Sequence, residues 1–258
     1  MKTNFSGDVA IVTGGAGGLG EASVRALVNA GCAVVIADMN DEKGEALAAE
    51  LGDDVRYVRT DVLDDDAVGA AIKAAASLGT LRYAVTSHGG FGVADRVVNR
   101  EGTPAPLDGF RKTVDLYLTG TYNVLRLVAA AVAAAEPNED GERGAIVTTA
   151  SIAAYEGQIG QTSYAAAKAG VVGLTLAAAR DLSAAGIRVV CIAPGTMRTP
   201  IMESVGPDML AKFEAAVPFP KRLGRPEEYG GLVTHALSNP YLNGEVIRLD
   251  GAQRFGPR

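Results

Sequence analysis

Seven short apolar runs recur along the chain, the first five each followed by a longer segment of helical spacing, and few architectures accommodate that alternation. The runs are DVAIVT (8–13), AVVIAD (33–38), VRYVRT (55–60), RYAVTS (82–87), GAIVTT (144–149), IRVVCIA (187–193) and EVIRL (245–249). They are rich in β-branched residues and continuous in hydrophobicity, as strands are when both sheet faces are covered. Segments 19–30, 41–51, 64–78, 110–135 and 163–184 carry helical periodicity and many alanines. The pattern predicts an α/β chain with one doubly wound parallel sheet of about seven strands and helices on both faces.

At 258 residues the chain can bury a substantial core. No interdomain linker interrupts the alternation, so one domain over 1–258 is expected. Stretches 99–109 and 137–144 fall inside the pattern and read as surface loops. Residues 196–226 depart from it, mixing prolines, apolar side chains and charge after the sixth run. Ligands bind at the carboxyl ends of such strands, so this segment is expected to be a substrate lid, with a purely structural excursion as the alternative.

A content of 48% hydrophobic and 21% charged residues argues against disorder. The formal charge of -6 argues against a main task of gripping nucleic acid or anionic membrane. Cys32 and Cys191 stand in apolar runs, reading as buried reduced thiols, and two cysteines rule out a disulfide scaffold. His88 and His235 belong to no metal-ligand cluster, so no catalytic metal is expected. The opening MKTNFSGDVAIVTGG runs straight into a strand, and no segment reaches the roughly 18 apolar residues of a membrane span. The expected compartment is the cytoplasm.

VTGGAGGLG joins the first run to the first helical segment. Gly14, Gly18 and Gly20 would let the backbone turn tightly, approach a pyrophosphate and pack helix on strand, while the helix amino end offers N–H groups to the anion. Asp38 ends the second run 18 residues after Gly20, near the spacing of a carboxylate that takes ribose hydroxyls. This is the Rossmann-type dinucleotide pattern. A carboxylate at Asp38 repels an extra phosphate and the turn holds no Lys or Arg, which favours NAD over NADP; a loop or capping role is the alternative. Asp61 can meet the adenine edge with Val62 against the ring, or cap the next helix.

SYAAAK places Tyr164 and Lys168 four apart on one helix face. A phenol titrates near 10, and a nearby ammonium favours phenolate, so Lys168 is expected to activate Tyr164. Ser151, just past the fifth run, can hold a substrate oxygen from the other side.

Three signatures, TGGAGGLG, Ser151 with Tyr164-Ala-Ala-Ala-Lys168, and APGTMRT, carry a resemblance to the short-chain dehydrogenase/reductases that covers essentially the whole chain. ASIAAYEGQIGQTSYAAAKAG, ARDLSAAGIRVVCIAPG, VPFPKRLGRPEEY and NGEVIRLDGA, with the extra loops at 96–106 and 137–143, are similar to the short-chain 3-hydroxyacyl-CoA dehydrogenases that also oxidise hydroxysteroids. The resemblance implies reversible hydride transfer between NAD and a secondary alcohol, a 3-hydroxyacyl-CoA above all. Tyr164 would take the proton, Ser151 orient the oxygen, and Lys168 lower the phenol pKa while holding the nicotinamide ribose. It further implies Gly17, Leu19, Asp38, Asp61, Val62, Ser87 and Gly89 along the cofactor, and Pro194, Thr196, Met197 and Thr199 near the nicotinamide. Family members are usually homotetramers built through the two long helices.

Two stretches depart from the family. After the fourth run the chain reads TSHGG (86–90) in place of an asparagine-rich motif, with Gly89 retained. In VDLYLTG, Tyr117 replaces the asparagine whose helix bend lets a main-chain carbonyl hold a relay water. The two are expected to be neighbours, with Tyr117 either entering the proton path or closing it. His88 either titrates beside the cofactor or stands neutral in the pocket wall. An NADPH-dependent reductase of oxoacyl carrier protein or another carbonyl, and a dinucleotide-binding sensor with little turnover, are the alternative functions.

Overall fold

A computed structural model of the chain describes residues 4–90 and 92–257. In chain order the elements are β1 (Asp8–Thr13), α1 (Gly18–Asn29), β2 (Ala33–Asp38), α2 (Asp41–Leu51), β3 (Val55–Arg59), α3 (Asp65–Leu78) and β4 (Thr80–Thr86). There follow α4 (Leu107–Val114), α5 (Gly120–Val132), β5 (Gly144–Thr149), α6 (Thr162–Asp181), β6 (Ile187–Pro194), α7 (Pro200–Glu203), α8 (Pro207–Ala215), α9 (Pro226–Ser238) and β7 (Val246–Leu249). The strands form one seven-stranded sheet in the order β3-β2-β1-β4-β5-β6-β7, every pair parallel. This is the doubly wound architecture the sequence predicts, with strand boundaries within about two residues of the apolar runs.

The sheet is covered on both sides because its strands are apolar on both sides. One face packs Val12, Val34, Ile36, Val85 and Ile192 against Leu27 of α1 and Val233 of α9. The other packs Ile11, Val35, Ala84, Ile146 and Val189 against Val68 of α3, Val124 and Val128 of α5 and Ala178 of α6. Burying such side chains is worth about 1.5–3 kcal/mol each, which makes these two layers the main source of cohesion. Gly230 lets α9 come close to α1, since a Cβ there would lie 2.5 Å from the Ala22 carbonyl oxygen.

Strand order, not strand direction, reverses between β1 and β4, so the connections after these strands run to opposite sides and leave a crevice at the carboxyl edge. Register places Thr13 beside Thr86 and Thr148 beside Cys191, bringing the turns that follow onto one rim. Cys32 and Cys191 are both buried. No helix among the described residues is long and apolar enough to cross a membrane.

Two segments differ in detail from the sequence reading. The helix expected over 110–135 runs from Leu107 to Val132 but widens to a π-turn at Asp115–Thr119, centred on buried Tyr117. The 196–226 stretch contains α7 and α8, with α9 beginning at its end. The 137–144 loop is anchored as well as exposed: Glu142 takes a two-pronged contact from Arg188 Nε (2.9 Å) and Nη2 (3.2 Å). Arg188, 6% exposed, also donates to the carbonyls of Ala236, Leu237 and Leu242, tying β6 to the end of α9. Arg188→Ala would strand one carboxylate and three carbonyls, so it should lower unfolding free energy by about 3 kcal/mol in a denaturant titration.

Candidate active site

The glycine turn stands on the rim after β1. Gly14 and Gly18 adopt φ of +66° and +53°, where a side chain is strained, and a Cβ on Gly20 would lie 2.0 Å from the Gly14 carbonyl oxygen. Helix α1 can therefore begin directly against the turn. Its N-cap, Gly17, provides no side-chain acceptor, whereas α2 and α3 are capped by Asn40 and Asp64. The first N–H groups of α1 are left for an anion, and Gly17, Gly18 and Leu19 border a cleft of about 520 Å³.

Along this cleft lie Gly14, Asp38, Ser87, Gly89, Ser151, Tyr164, Lys168, Pro194, Thr196, Met197 and Thr199, all singled out from sequence. Gly20 lies buried beneath the turn. Asp61 and Val62 are not among the bordering residues: Asp61 is exposed and accepts from the Leu63 amide (2.9 Å), and the Val62 carbonyl accepts from Asn123 (2.9 Å). The Asp38 carboxylate has structural work too, accepting from the amides of Ala16 (3.0 Å) and Asn40 (2.9 Å). Lys43, from the first turn of α2, also borders the cleft near it.

Ser151 begins a short 3-10 turn after β5, and its Oγ accepts from the Ala153 amide (3.1 Å). Tyr164 and Lys168 come from the first two turns of α6. Lys168 is 4% exposed; its ammonium donates to the Thr149 carbonyl (2.8 Å) and stands 4.5 Å from the Tyr117 ring centre and 5.9 Å from that of Tyr164. Burial lowers this ammonium to about 8, and the Cys191 thiol pulls it back up slightly. Tyr164 differs from the expectation of an acidified phenol. Burial is the largest influence and raises it well above its usual range, Tyr117 adds to the rise, and a hydrogen bond with Ser151 acts against it.

Tyr117 is 3% exposed and lies edge-on to Tyr164, ring centres 5.1 Å apart at 83°. Its hydroxyl donates to the Gly90 carbonyl and accepts from the Gly90 amide (2.9 Å). Of the two roles left open for Tyr117, the hydroxyl is committed to the backbone. The Tyr117 carbonyl, within the π-turn, accepts from the Thr121 hydroxyl (2.7 Å). Gly89 and Tyr117 are neighbours as expected, since a Cβ on Gly89 would lie 2.4 Å from Tyr117 Cε1. His88 shares a 2.7 Å hydrogen bond with the Thr13 hydroxyl. Burial and the Lys168 charge push His88 down to about 3, so it stands neutral in the pocket wall.

A family model described as short chain dehydrogenase matches residues 8–210. The chain belongs to the short chain dehydrogenase family. It is 46% identical over 257 residues to human 3-hydroxyacyl-CoA dehydrogenase type-2, covering 98% of each chain. The Drosophila melanogaster protein of the same name is 45% identical over 263 residues, covering 96% of this chain and 98% of that one. A crystal structure of 3-hydroxyacyl-CoA dehydrogenase type-2 from Mycobacterium avium is 68% identical, superposes with a TM-score of 0.97, and covers 98% of both chains.

As a short chain dehydrogenase the protein is an oxidoreductase with a nicotinamide dinucleotide cofactor. The cleft fits that group. The uncapped end of α1 suits the pyrophosphate, and the crowding around Gly14 and Gly20 shows a turn shaped for close approach by backbone rather than side chains. Among the described residues, no group of three or more His, Cys, Asp or Glu is placed to hold a metal.

Sequence reasoning missed three residues in this dehydrogenase. Lys43 follows Asp38 by five positions, and its closeness in sequence to that carboxylate is the signal that marks it. Tyr229, fully buried on α9, shares a 2.6 Å hydrogen bond with Thr149 beneath Lys168, and no motif marked it. Phe255, from the carboxyl tail, borders the cleft with no local signal at all. Tyr117→Phe should keep the ring but lose the Gly90 clamp. Amide exchange at Gly90 should then quicken about fivefold, a loss of about 1 kcal/mol readable by hydrogen-exchange mass spectrometry or NMR.

Proposed function

We propose that this dehydrogenase is NAD-dependent and interconverts 3-hydroxyacyl-CoA and 3-oxoacyl-CoA through Ser151, Tyr164 and Lys168. The supporting observation is the convergence of these three side chains on the cleft that also holds the glycine turn and Asp38. Bound there, the oxidised dinucleotide supplies the hydride acceptor. Gly14, Gly17, Gly18 and Leu19 would hold its pyrophosphate, Asp38 its adenosine ribose, and Ser87, Gly89, Pro194, Thr196, Met197 and Thr199 the remainder. The 3-hydroxyacyl-CoA specificity comes from the relatives that carry that name.

Ser151 orients the substrate oxygen and Tyr164 exchanges the proton. Burial keeps Tyr164 a phenol, which suits it to donate when a ketone is reduced. In the oxidative direction the phenolate needs a positive neighbour, and Lys168 provides one from the next turn of α6. An ammonium near 8 is still mainly charged at neutral pH. Residues 196–226 act as the lid over the substrate, in a single domain spanning 1–258. The enzyme works as a homotetramer in the cytoplasm, joined through α4–α5 and α6.

With NADH and acetoacetyl-CoA the protein should consume NADH, and Tyr164→Phe should slow this at least about a hundredfold without unfolding the chain. Equal rates in the two proteins would overturn the assignment of Tyr164.

A second reading, an NADPH-dependent reductase of oxoacyl carrier protein, draws on Lys43 at the cleft wall. Asp38 outweighs it, because two backbone amides fix that carboxylate in place whereas Lys43 is exposed. NADH should therefore bind at least about tenfold more tightly than NADPH in a fluorescence titration, and Asp38→Ser should narrow that gap. Tighter NADPH binding by the unaltered chain would favour the second reading.

A further inference from the structure

Residues 250–257 follow β7 and turn back across the cleft as a strap. The turn is built at Asp250, whose carboxylate accepts from the Ala252 amide (2.9 Å) and whose carbonyl accepts from the Gln253 amide (2.9 Å). Gln253 is 0% exposed, and its Oε1 accepts from the Thr196 amide (3.1 Å) and hydroxyl (3.0 Å). On the far side the Pro257 carbonyl accepts from the Ile159 amide (3.0 Å), in the loop before α6. Beside them Glu156 is held by both terminal nitrogens of Arg248 (2.8 and 2.9 Å), and the Phe255 backbone contributes to keeping its carboxyl below the ordinary range, after Arg248. Phe255 itself borders the cleft together with Ser151, Ala153, Gln161 and Tyr164.

We infer that Phe255 closes the substrate end of the cleft and limits the length of acyl chain that the enzyme accepts. The strap is fastened on both sides of Phe255, so its backbone has little freedom to carry the ring away from the cleft. It carries no polar atom and meets an alkyl segment rather than a charged group. Its ties to Thr196 and to the loop carrying Gln158 and Gln161 set it beside the reacting residues, not beside Asp38 on β2. The inference rests on the acyl-CoA reading above.

The test compares kcat/KM for four-carbon and ten-carbon 3-oxoacyl-CoA in the unaltered enzyme, Phe255→Ala and Phe255→Leu. The ratio of long to short substrate should rise roughly tenfold in Phe255→Ala and less in Phe255→Leu, with the KM for NADH unchanged. A purely structural role would lower both rates together and leave the ratio where it was, which would overturn the inference. Should Phe255→Ala melt early, Phe255→Leu carries the same comparison, and an unmoved ratio there overturns it equally. Turnover of no 3-oxoacyl-CoA by the unaltered chain removes the acyl-CoA reading and this inference with it. Turnover with an unmoved ratio removes this inference alone.

Discussion

Lys168 brings a positive charge to a depth where 4% of the residue meets solvent, and such an ion is costly unless its surroundings compensate. The Thr149 carbonyl accepts one ammonium proton, and the faces of Tyr117 and Tyr164 offer negative π density to the rest of the charge. Burial still wins, drawing the ammonium down to about 8. Each compensating group is set by a different element: Thr149 ends β5, Tyr117 sits in the π-turn between α4 and α5, and Tyr164 opens α6. Displacing any one of them leaves the charge less well held. Thr149 is in turn braced by Tyr229 of α9, so the packing on the opposite sheet face reaches the ammonium through one hydroxyl.

The two departures from the usual family residues form a single packed unit. Tyr117 is larger than asparagine, and its ring fits because Gly89 lacks a Cβ and because the helix opens by one residue at 115–119. Gly120 completes the arrangement, since a Cβ there would lie 2.6 Å from Val62 and 3.3 Å from His88. The tyrosine hydroxyl satisfies both the donor and the acceptor of Gly90, as a side-chain amide can with its two ends. This explains how the loop after β4 keeps its place without an asparagine. The hydroxyl is thereby occupied at the backbone, leaving the Tyr117 ring as the surface that Lys168 meets.

Much of the fold was legible in the sequence because the determining signal is local. Continuous β-branched runs such as GAIVTT and IRVVCIA allow little besides buried strands, and the helical segments between such runs make them parallel. Gly14, Gly18 and Gly20 were equally legible, since each is required by its own φ or by a neighbour a few residues away. Other features depend on long-range placement. The pairing of Tyr117 with Gly90, of Glu142 with Arg188, and of Phe255 with the 151–161 loop joins residues 27 to more than 90 positions apart, with no periodicity to announce it. The rise of the Tyr164 phenol belongs to the same class. Spacing revealed a lysine four residues on, but the competing desolvation is a property of the assembled site.

The two ends of the cleft place opposite demands on the backbone. The glycine turn must present bare N–H groups, so side chains are excluded there and the geometry is carried by φ angles that glycine alone adopts easily. The Ser151–Tyr164–Lys168 end must hold side chains at fixed positions with little water, so it recruits carbonyls, aromatic rings and the carboxyl-terminal strap. Residues 196–203 join the two. Thr196 is tied to Gln253 of the strap, while Thr199 caps α7 and stands 3.5 Å from where a Cβ on Gly18 would lie. Arg198, one residue earlier, pairs with Glu203 of α7 and Glu214 of α8, linking both short helices to this segment. A dinucleotide seated on the turn would therefore press on the same residues that carry α7 and α8, which couples its binding to the placement of these helices.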